Sequence, residues 1–569
     1  MNRLRTLPEA LGDAACSGEG YTFVVDGVAT WRTYADLQQS ALGVARALGE
    51  AGLRRGDLVA LVIADAEQFL TALLGASIAG VVPASLYPPA TAGDLSSYFT
   101  LTAGILRTAG ARAVVTSAAL ASGFDAVRAI CPALALVLSR EDLDAPPIEP
   151  DALPSLDDIA FVQFTSGSTS APKGVALSHR NLSANIDAIN GPAGLGTTPD
   201  DSGVSWLPLY HDMGLVGMAL GALYAERPGV LLTPQAFVKR PAEWLKAISR
   251  YRGTISFAPN FAYDLAVRRV KDRDLDGLDL SCWRIAGCGA EPIHAPTLAA
   301  FAERFAPVGF RATSFLPCYG LAEHVLAATF PPRNRAPRVE HLSASRLIER
   351  HQVVPAEVGE LSVALVSCGR AFPGHEIRIV GDNGRQLRDG EIGEITLAGP
   401  SVMLGYYKDA RLTAETIRRG WLHTGDLGYL SDGELFVCGR AKDIIIVNGR
   451  KYHPQDLEWA VSEIAGVRRG RVVAFGTVEQ GASDRVVIVV EPGGKAAVDE
   501  LADTIRRRIS AAFGLYVDEV VPVPSGTIGR TTSGKVQRAA TKARYERGEL
   551  VDESEGLRPD GFAREASGH

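Results

Sequence analysis

The 569 residues are too many for one ordinary domain, and a composition of 46% hydrophobic and 22% charged residues excludes both a disordered and a fibrous chain. A formal net charge of -7 argues against a general nucleic-acid binder, whose surface must neutralise phosphates. Seven cysteines without a C-x-x-C pair suggest neither a disulfide framework nor a zinc site, so a reduced, cytoplasmic setting is expected.

The N-terminal stretch lacks an apolar core followed by a small-residue cleavage site, and no secretory signal is expected. Leu58 to Ile63 reads as a buried strand and Ala66 to Ala79 as the helix after it. The longest apolar run, Phe69 to Leu86, is broken by Gly75, Gly80 and Pro83. It therefore reads as a buried helix entering a buried strand, and no membrane insertion is expected. This alternation predicts an α/β architecture.

A boundary is expected near Gly439 to Asp443, giving a large N-terminal domain over 1–440 and a small α+β domain over 441–550. Within the latter, Val472 to Phe475 and Val486 to Val490 read as strands and Val498 to Phe513 as a helix. Residues 551–569 read as a flexible polar tail.

From Gln163 to Gly174 a short apolar strand enters a loop holding Thr165, Ser166, Gly167, Ser168, Thr169 and Lys173. Backbone N–H groups, small hydroxyls and an ammonium supply donors for polyphosphate without bulk. The loop is not a Walker A sequence, because G-x-x-x-x-G-K-[ST] cannot be aligned over it. Here the chain resembles the adenylate-forming superfamily of acyl-CoA synthetases, nonribosomal peptide adenylation domains and luciferases. Ser170 departs from the glycine that many members carry.

Further strings extend the resemblance in family order, over residues 20 to 545. Trp206 to Leu215 resembles the substrate-side motif and implies that His211 lies near a reacting carboxylate. Pro259 to Leu265 looks like a string of the fatty acyl-AMP ligase branch, implying that Asn260, Phe261 and Tyr263 border an acyl tunnel. Gly289, Ala290 and Glu291 resemble the adenine-binding turn, and Tyr319, Gly320 and Glu323 the motif in which an aromatic ring packs the base and a carboxylate holds Mg²⁺, with Thr165 as second metal residue. Asp426 could accept from both ribose hydroxyls and Arg440 donate to sugar or phosphate. Lys442 occupies the family's hinge position, and Lys535 that of the C-terminal catalytic lysine.

About fifty residues separate Glu323 from Phe372, a stretch longer than coenzyme A ligases of this superfamily lead one to expect. Fatty acyl-AMP ligases carry an insertion here, which maps to 338–361; a surface loop without a role is the alternative. The resemblance thus implies an enzyme that uses ATP and Mg²⁺ to convert a fatty acid to acyl-AMP and passes the acyl group to an acyl carrier protein in trans. Arg530, Lys535, Arg538, Lys542, Arg544 and Arg547 could dock such an acidic carrier, or form a solvated helix face. A coenzyme A ligase of the same fold, a non-catalytic adenylate sensor and an aminoacyl-adenylating domain are the rival readings.

Overall fold

The computed structural model describes residues 3–89, 95–165, 172–350, 352–447, 450–477, 485–493, 498–530 and 536–550. The chain divides into two compact units, with the boundary along the chain between Lys442 and Asp443. The fold is mixed α/β in the larger unit and α+β in the smaller.

Two seven-stranded sheets organise the larger unit. One runs, in spatial order, Gly405–Tyr406, Lys173–Ser178, Ile159–Thr165, Val82–Ser85, Leu58–Val62, Ala113–Thr116 and Leu136–Ser139. Its centre is parallel, and every residue of Leu58–Val62 is buried, as expected of a strand covered on both faces. The apolar run from Phe69 folds as foreseen, with helix Ala66–Ile78 leading into Val82–Ser85. Asp65 caps that helix by accepting from the Gln68 N–H. Gly75 lets it lie against helix Tyr34–Glu50, because a Cβ there would stand 2.8 Å from the Ala41 carbonyl oxygen. No helix among the described residues is long and apolar enough to cross a membrane.

The second sheet has the order Phe315–Pro317, Ile285–Cys288, Ile255–Ala258, Gly203–Ser205, Gly229–Leu232, Gly20–Val25 and Val28–Thr33. Its parallel register sets Ala258 beside Cys288 and Cys288 beside Pro317. The carboxyl ends of three strands therefore lie side by side. In open α/β sheets that edge is where ligands bind, since the loops leaving it converge. Further along, strands Glu376–Val380, Gly393–Ala398 and Trp421–Ser431 form an antiparallel sheet, with Glu434–Arg440 paired to Trp421–Ser431.

In the smaller unit, Val467–Thr477, Arg485–Pro492 and Glu519–Pro522 form a three-stranded sheet with helices Pro454–Ser462, Val498–Phe513 and Arg538–Glu546. Arg538 corrects the expected docking surface. Its guanidinium is largely buried and donates to Asp443 at 2.6 Å and to both Glu458 oxygens at 3.0 and 2.9 Å. A cation so neutralised is an internal tie, unsuited to meeting an acidic partner. Two other members of that set are also engaged: Arg544 donates to the Thr527 carbonyl at 2.8 Å and Arg547 pairs with Glu549.

Candidate active site

The strand Ile159–Thr165 delivers Thr165 to the mouth of the hydroxyl-rich loop, and Lys173–Ser178 returns antiparallel with Lys173 opposite Thr165. Ser166, Gly167, Ser168 and Thr169 lie outside the described residues, as does Lys535. Gln163, one turn of the pleat before Thr165, donates from Nε2 to the Tyr210 carbonyl at 2.9 Å. That bond holds the loop carrying His211 against the strand that leads to the hydroxyl-rich loop. His211 is adjacent to Asp212, with Nδ1 2.6 Å from a carboxylate oxygen. The Met213 N–H also donates to Nδ1 at 3.4 Å, so the ring is held from its own loop.

The second sheet supplies the next group. Asn260 opens helix Asn260–Arg269 directly after strand Ile255–Ala258, and its Oδ1 accepts from the His294 N–H at 3.0 Å. Reciprocally, the Glu291 carboxylate accepts from the Phe261 N–H at 2.5 Å, placing a negative charge at the start of that helix. Glu291 and Asn260 thus cross-brace two strand ends. Between them, Ala290 sits at φ +68°, a strained conformation for a residue with a Cβ. Gly289 is required by close approach, since a Cβ there would lie 2.6 Å from Cys318 Sγ. Phe261 meets Trp206 edge-on at 6.2 Å. Tyr263, grouped with it in the sequence, is wholly buried instead, its hydroxyl donating to the Gly287 carbonyl and its ring among Trp244, Trp283, Phe301 and Phe315.

Two side-chain constellations follow. In the first, the buried Tyr319 hydroxyl donates to Asp426 Oδ2 at 2.8 Å, while Arg440 Nε donates to Asp426 Oδ1 at 3.0 Å. Asp426 and Arg440 are directly paired across adjacent antiparallel strands, which explains their fourteen-residue spacing. Burial, and then the Asp426 charge, push the Tyr319 phenol well above its ordinary value, so it stays a donor. Glu394 braces the turn before Asp426, taking bonds from His423 Nδ1 at 2.8 Å and the Gly425 N–H at 3.1 Å.

In the second, Glu323 stands on a short turn, Ala322–His324, and its Oε1 accepts from the Tyr406 hydroxyl at 2.9 Å. Lys173 Nζ lies 5.3 Å from the centroid of the same tyrosine ring. Oε2 of Glu323 accepts from no group among the described residues. One engaged and one open oxygen on a half-buried carboxylate suit Mg²⁺, which takes one or two carboxylates and completes its shell with phosphate and water. No cluster of three His, Cys, Asp or Glu side chains is placed to hold a metal among the described residues.

The geometry so far is a set of donors and acceptors gathered near strand ends, and similarity to known proteins bears on what it serves. Residues 13–407 match the AMP-binding enzyme family, and residues 442–555 match the AMP domain of Disco-interacting protein 2-like proteins. The chain belongs to the AMP-binding enzymes. It is 37% identical to a putative acyl-CoA synthetase of Caulobacter vibrioides, over 91% of each chain. It is 34% identical to a long-chain-fatty-acid–AMP ligase of Mycobacterium marinum, over 96% of this chain and 94% of that one. A medium-chain-fatty-acid–[acyl-carrier-protein] ligase of Moorena producens is also 34% identical, over 91% and 90%. Among solved structures, one from a study of fatty acyl-adenylate ligases of E. coli and L. pneumophila superposes with a TM-score of 0.89 at 37% identity, covering 95% of this chain and 98% of that one. In this AMP-binding enzyme Tyr406 and Glu394 belong to no motif read from the sequence, and the bond from Gln163 to Tyr210 was not legible in the string that Gln163 opens; their partners are distant in sequence and only the fold brings them in.

Proposed function

We propose that this AMP-binding enzyme is a fatty acyl-AMP ligase that hands its product to the phosphopantetheine thiol of a separate acyl carrier protein in the cytoplasm. The observation that carries the reading is the pair of constellations, Tyr319–Asp426–Arg440 and Glu323–Tyr406–Lys173, in a chain whose relatives include ligases named for fatty acids, AMP and carrier proteins.

In the first step a carboxylate oxygen attacks the α-phosphorus of ATP and the bond to pyrophosphate breaks. Asp426 and Arg440 hold the ribose, Tyr319, Gly320 and the Gly289–Glu291 turn border the base, and Thr165 to Thr169 with Lys173 surround the phosphates. Glu323, with Thr165, would hold Mg²⁺, which neutralises phosphate charge when bound. His211 faces the acid's carboxylate, and Asn260 and Phe261 line its approach, with Tyr263 supporting them from the core. Lys535 supplies the ammonium that meets charge building between carboxylate and phosphate. In the second step the thiol sulfur attacks the acyl carbonyl and AMP leaves with the C–O bond pair, after rotation at Lys442.

The acceptor separates this reading from its rival, since one relative is named an acyl-CoA synthetase. Purified protein given ATP, Mg²⁺ and straight-chain fatty acids is offered either coenzyme A or a phosphopantetheinylated carrier protein. Acylation of the carrier alone is expected. Acyl-CoA formation at a comparable rate would overturn the carrier assignment, and absence of acyl-AMP would overturn adenylation itself.

A further inference from the structure

The segment 400–407 is fastened at nearly every residue. Asn181 Nδ2 donates to the carbonyls of Pro400 and Val402 at 2.8 and 2.9 Å. The Met403 N–H donates to the Glu323 carbonyl at 2.9 Å, and the Leu404 and Tyr407 N–H groups donate to the Ala176 and Gly174 carbonyls at 3.0 and 2.7 Å. Gly405–Tyr406 pairs with Val175 and Ala176 on the strand that begins at Lys173, and the Tyr406 N–H also donates to Thr413 Oγ1 at 2.8 Å. A backbone held this firmly fixes where one side chain points. That side chain is Tyr406, 8% exposed, with its hydroxyl on Glu323 and its ring under the Lys173 ammonium.

We propose that Tyr406 is a positioning residue that keeps the metal-holding carboxylate of Glu323 and the phosphate-loop ammonium of Lys173 at a fixed separation, so that the Mg²⁺–nucleotide meets both at once. The proposal rests on the reading of Glu323 as the metal carboxylate. Terminal carboxylate torsions are broad, so an untied glutamate samples many orientations, only a fraction of which direct an oxygen at the ion. The phenol selects one by occupying Oε1 and leaving Oε2. The ring acts separately, since an ammonium within about 6 Å of an aromatic face is attracted to it and loses its freedom to swing away.

The two contributions are separable because Tyr406→Phe removes the hydroxyl and keeps the ring, whereas Tyr406→Leu removes both. Mn²⁺ binding to the full chain with ATP, without fatty acid, is followed by electron paramagnetic resonance; the Mg²⁺ dependence of ATP–pyrophosphate exchange is measured beside it. Tyr406→Phe is expected to weaken Mn²⁺ binding and raise half-saturating Mg²⁺ alike, by about tenfold, the size of a lost hydrogen bond to a charged acceptor. Its KM for ATP at saturating Mg²⁺ should stay near wild type. Tyr406→Leu should raise that KM as well, by about fivefold. Wild-type metal binding by Tyr406→Phe, or a fall in turnover with unchanged metal dependence, would overturn the proposal. Glu323→Gln is run in parallel: undiminished Mn²⁺ binding there removes the metal assignment and this proposal with it. Continued acyl-AMP formation by the wild-type protein would leave the fatty-acid reading standing.

Discussion

Replacing Asp426 by asparagine tests the ribose assignment with little change of shape. Both described donors to this carboxylate, the Tyr319 hydroxyl at 2.8 Å and Arg440 Nε at 3.0 Å, need an acceptor. An asparagine can satisfy both only with its oxygen toward Arg440 and its NH₂ toward Tyr319, whose hydroxyl turns into an acceptor. The fold should therefore survive, while any ribose hydroxyl loses a charged acceptor. Charge-assisted bonds are about twice as strong as neutral ones, so two of them lose about 1 kcal/mol each. A total of about 2 kcal/mol corresponds to roughly a 30-fold rise in KM for ATP. Asp426→Ala, which removes both bonds, one of them to the buried Tyr319 hydroxyl, should cost about 3 to 6 kcal/mol in kcat/KM. The assay is ATP–pyrophosphate exchange at saturating fatty acid, with 2′-deoxy-ATP and 3′-deoxy-ATP as alternative substrates. Asparagine should shrink the discrimination between ATP and the deoxynucleotides. A variant that kept its KM within about twofold and its full discrimination would refute the assignment.

Lys535→Ala should lower the exchange rate by about a hundredfold or more with little change in ATP binding measured by calorimetry; near-wild-type exchange would exclude Lys535 as the transition-state donor. Arg538→Met strips the partner from two half-buried carboxylates, Asp443 and Glu458, and should destabilise the smaller unit by about 3 to 5 kcal/mol, read as an earlier transition in scanning calorimetry. An unmoved transition would show the ion triad to be dispensable. His179, 1% exposed and accepting from the Leu7 N–H at 3.1 Å, has its pKa lowered from 6.5 to about 4 by burial. Because the unfolded chain binds the extra proton first, this histidine contributes stability in full above pH 6.5 and loses it as pH falls toward 4. The amount is about 3 kcal/mol. Thermal midpoints measured across that window should fall, and His179→Asn should flatten the slope.

What the sequence made legible was local. The buried run Leu58–Val62, the helix Val498–Phe513 and the apolar stretch from Phe69 announce themselves by pattern, because the period of their apolar residues is written along the chain whatever they later pack against. The glycine at 289 and the aspartate at 426 were legible as motif members, although the reason for each, Cys318 at close approach and Arg440 on the facing strand, needs the fold. Tyr406 was invisible for the opposite reason. It meets Glu323 eighty-three residues away and Lys173 much farther still, and an isolated Gly-Tyr-Tyr carries no period or spacing that would single it out. Arg538 was misread because a run of basic residues shows its charge in sequence but not its partners, and the partners lie at Asp443 and Glu458.

The segment mapped to 338–361 takes on a different meaning once its attachments are counted in. Val339–Ser343 pairs antiparallel with Ser362–Val366, and helix Ala344–Arg350 lies between them. Its base is anchored to the hairpin that carries Asp426 and Arg440: Glu340 accepts from the Tyr429 and Ser431 hydroxyls at 2.8 and 2.9 Å, and Arg338 donates to Ser431 Oγ and Asp432 at 2.9 and 3.0 Å. Nearby, the buried Glu434 accepts from Ser367 at 2.6 Å and from Arg335 at 2.7 Å. Deleting the whole segment would leave the Tyr429 hydroxyl without its acceptor on the hairpin of Asp426 and Arg440, and an unpaired buried donor of that kind costs about 1 to 3 kcal/mol. A loss of adenylation after such a deletion would then report damage to the nucleotide site and say nothing of the acceptor. A deletion that tests a part for the segment in choosing between coenzyme A and a carrier protein should therefore stay beyond the anchor, where Val354, Val358 and Leu361 stand exposed, and spare Arg338 and Glu340, which hold the hairpin of Asp426 and Arg440.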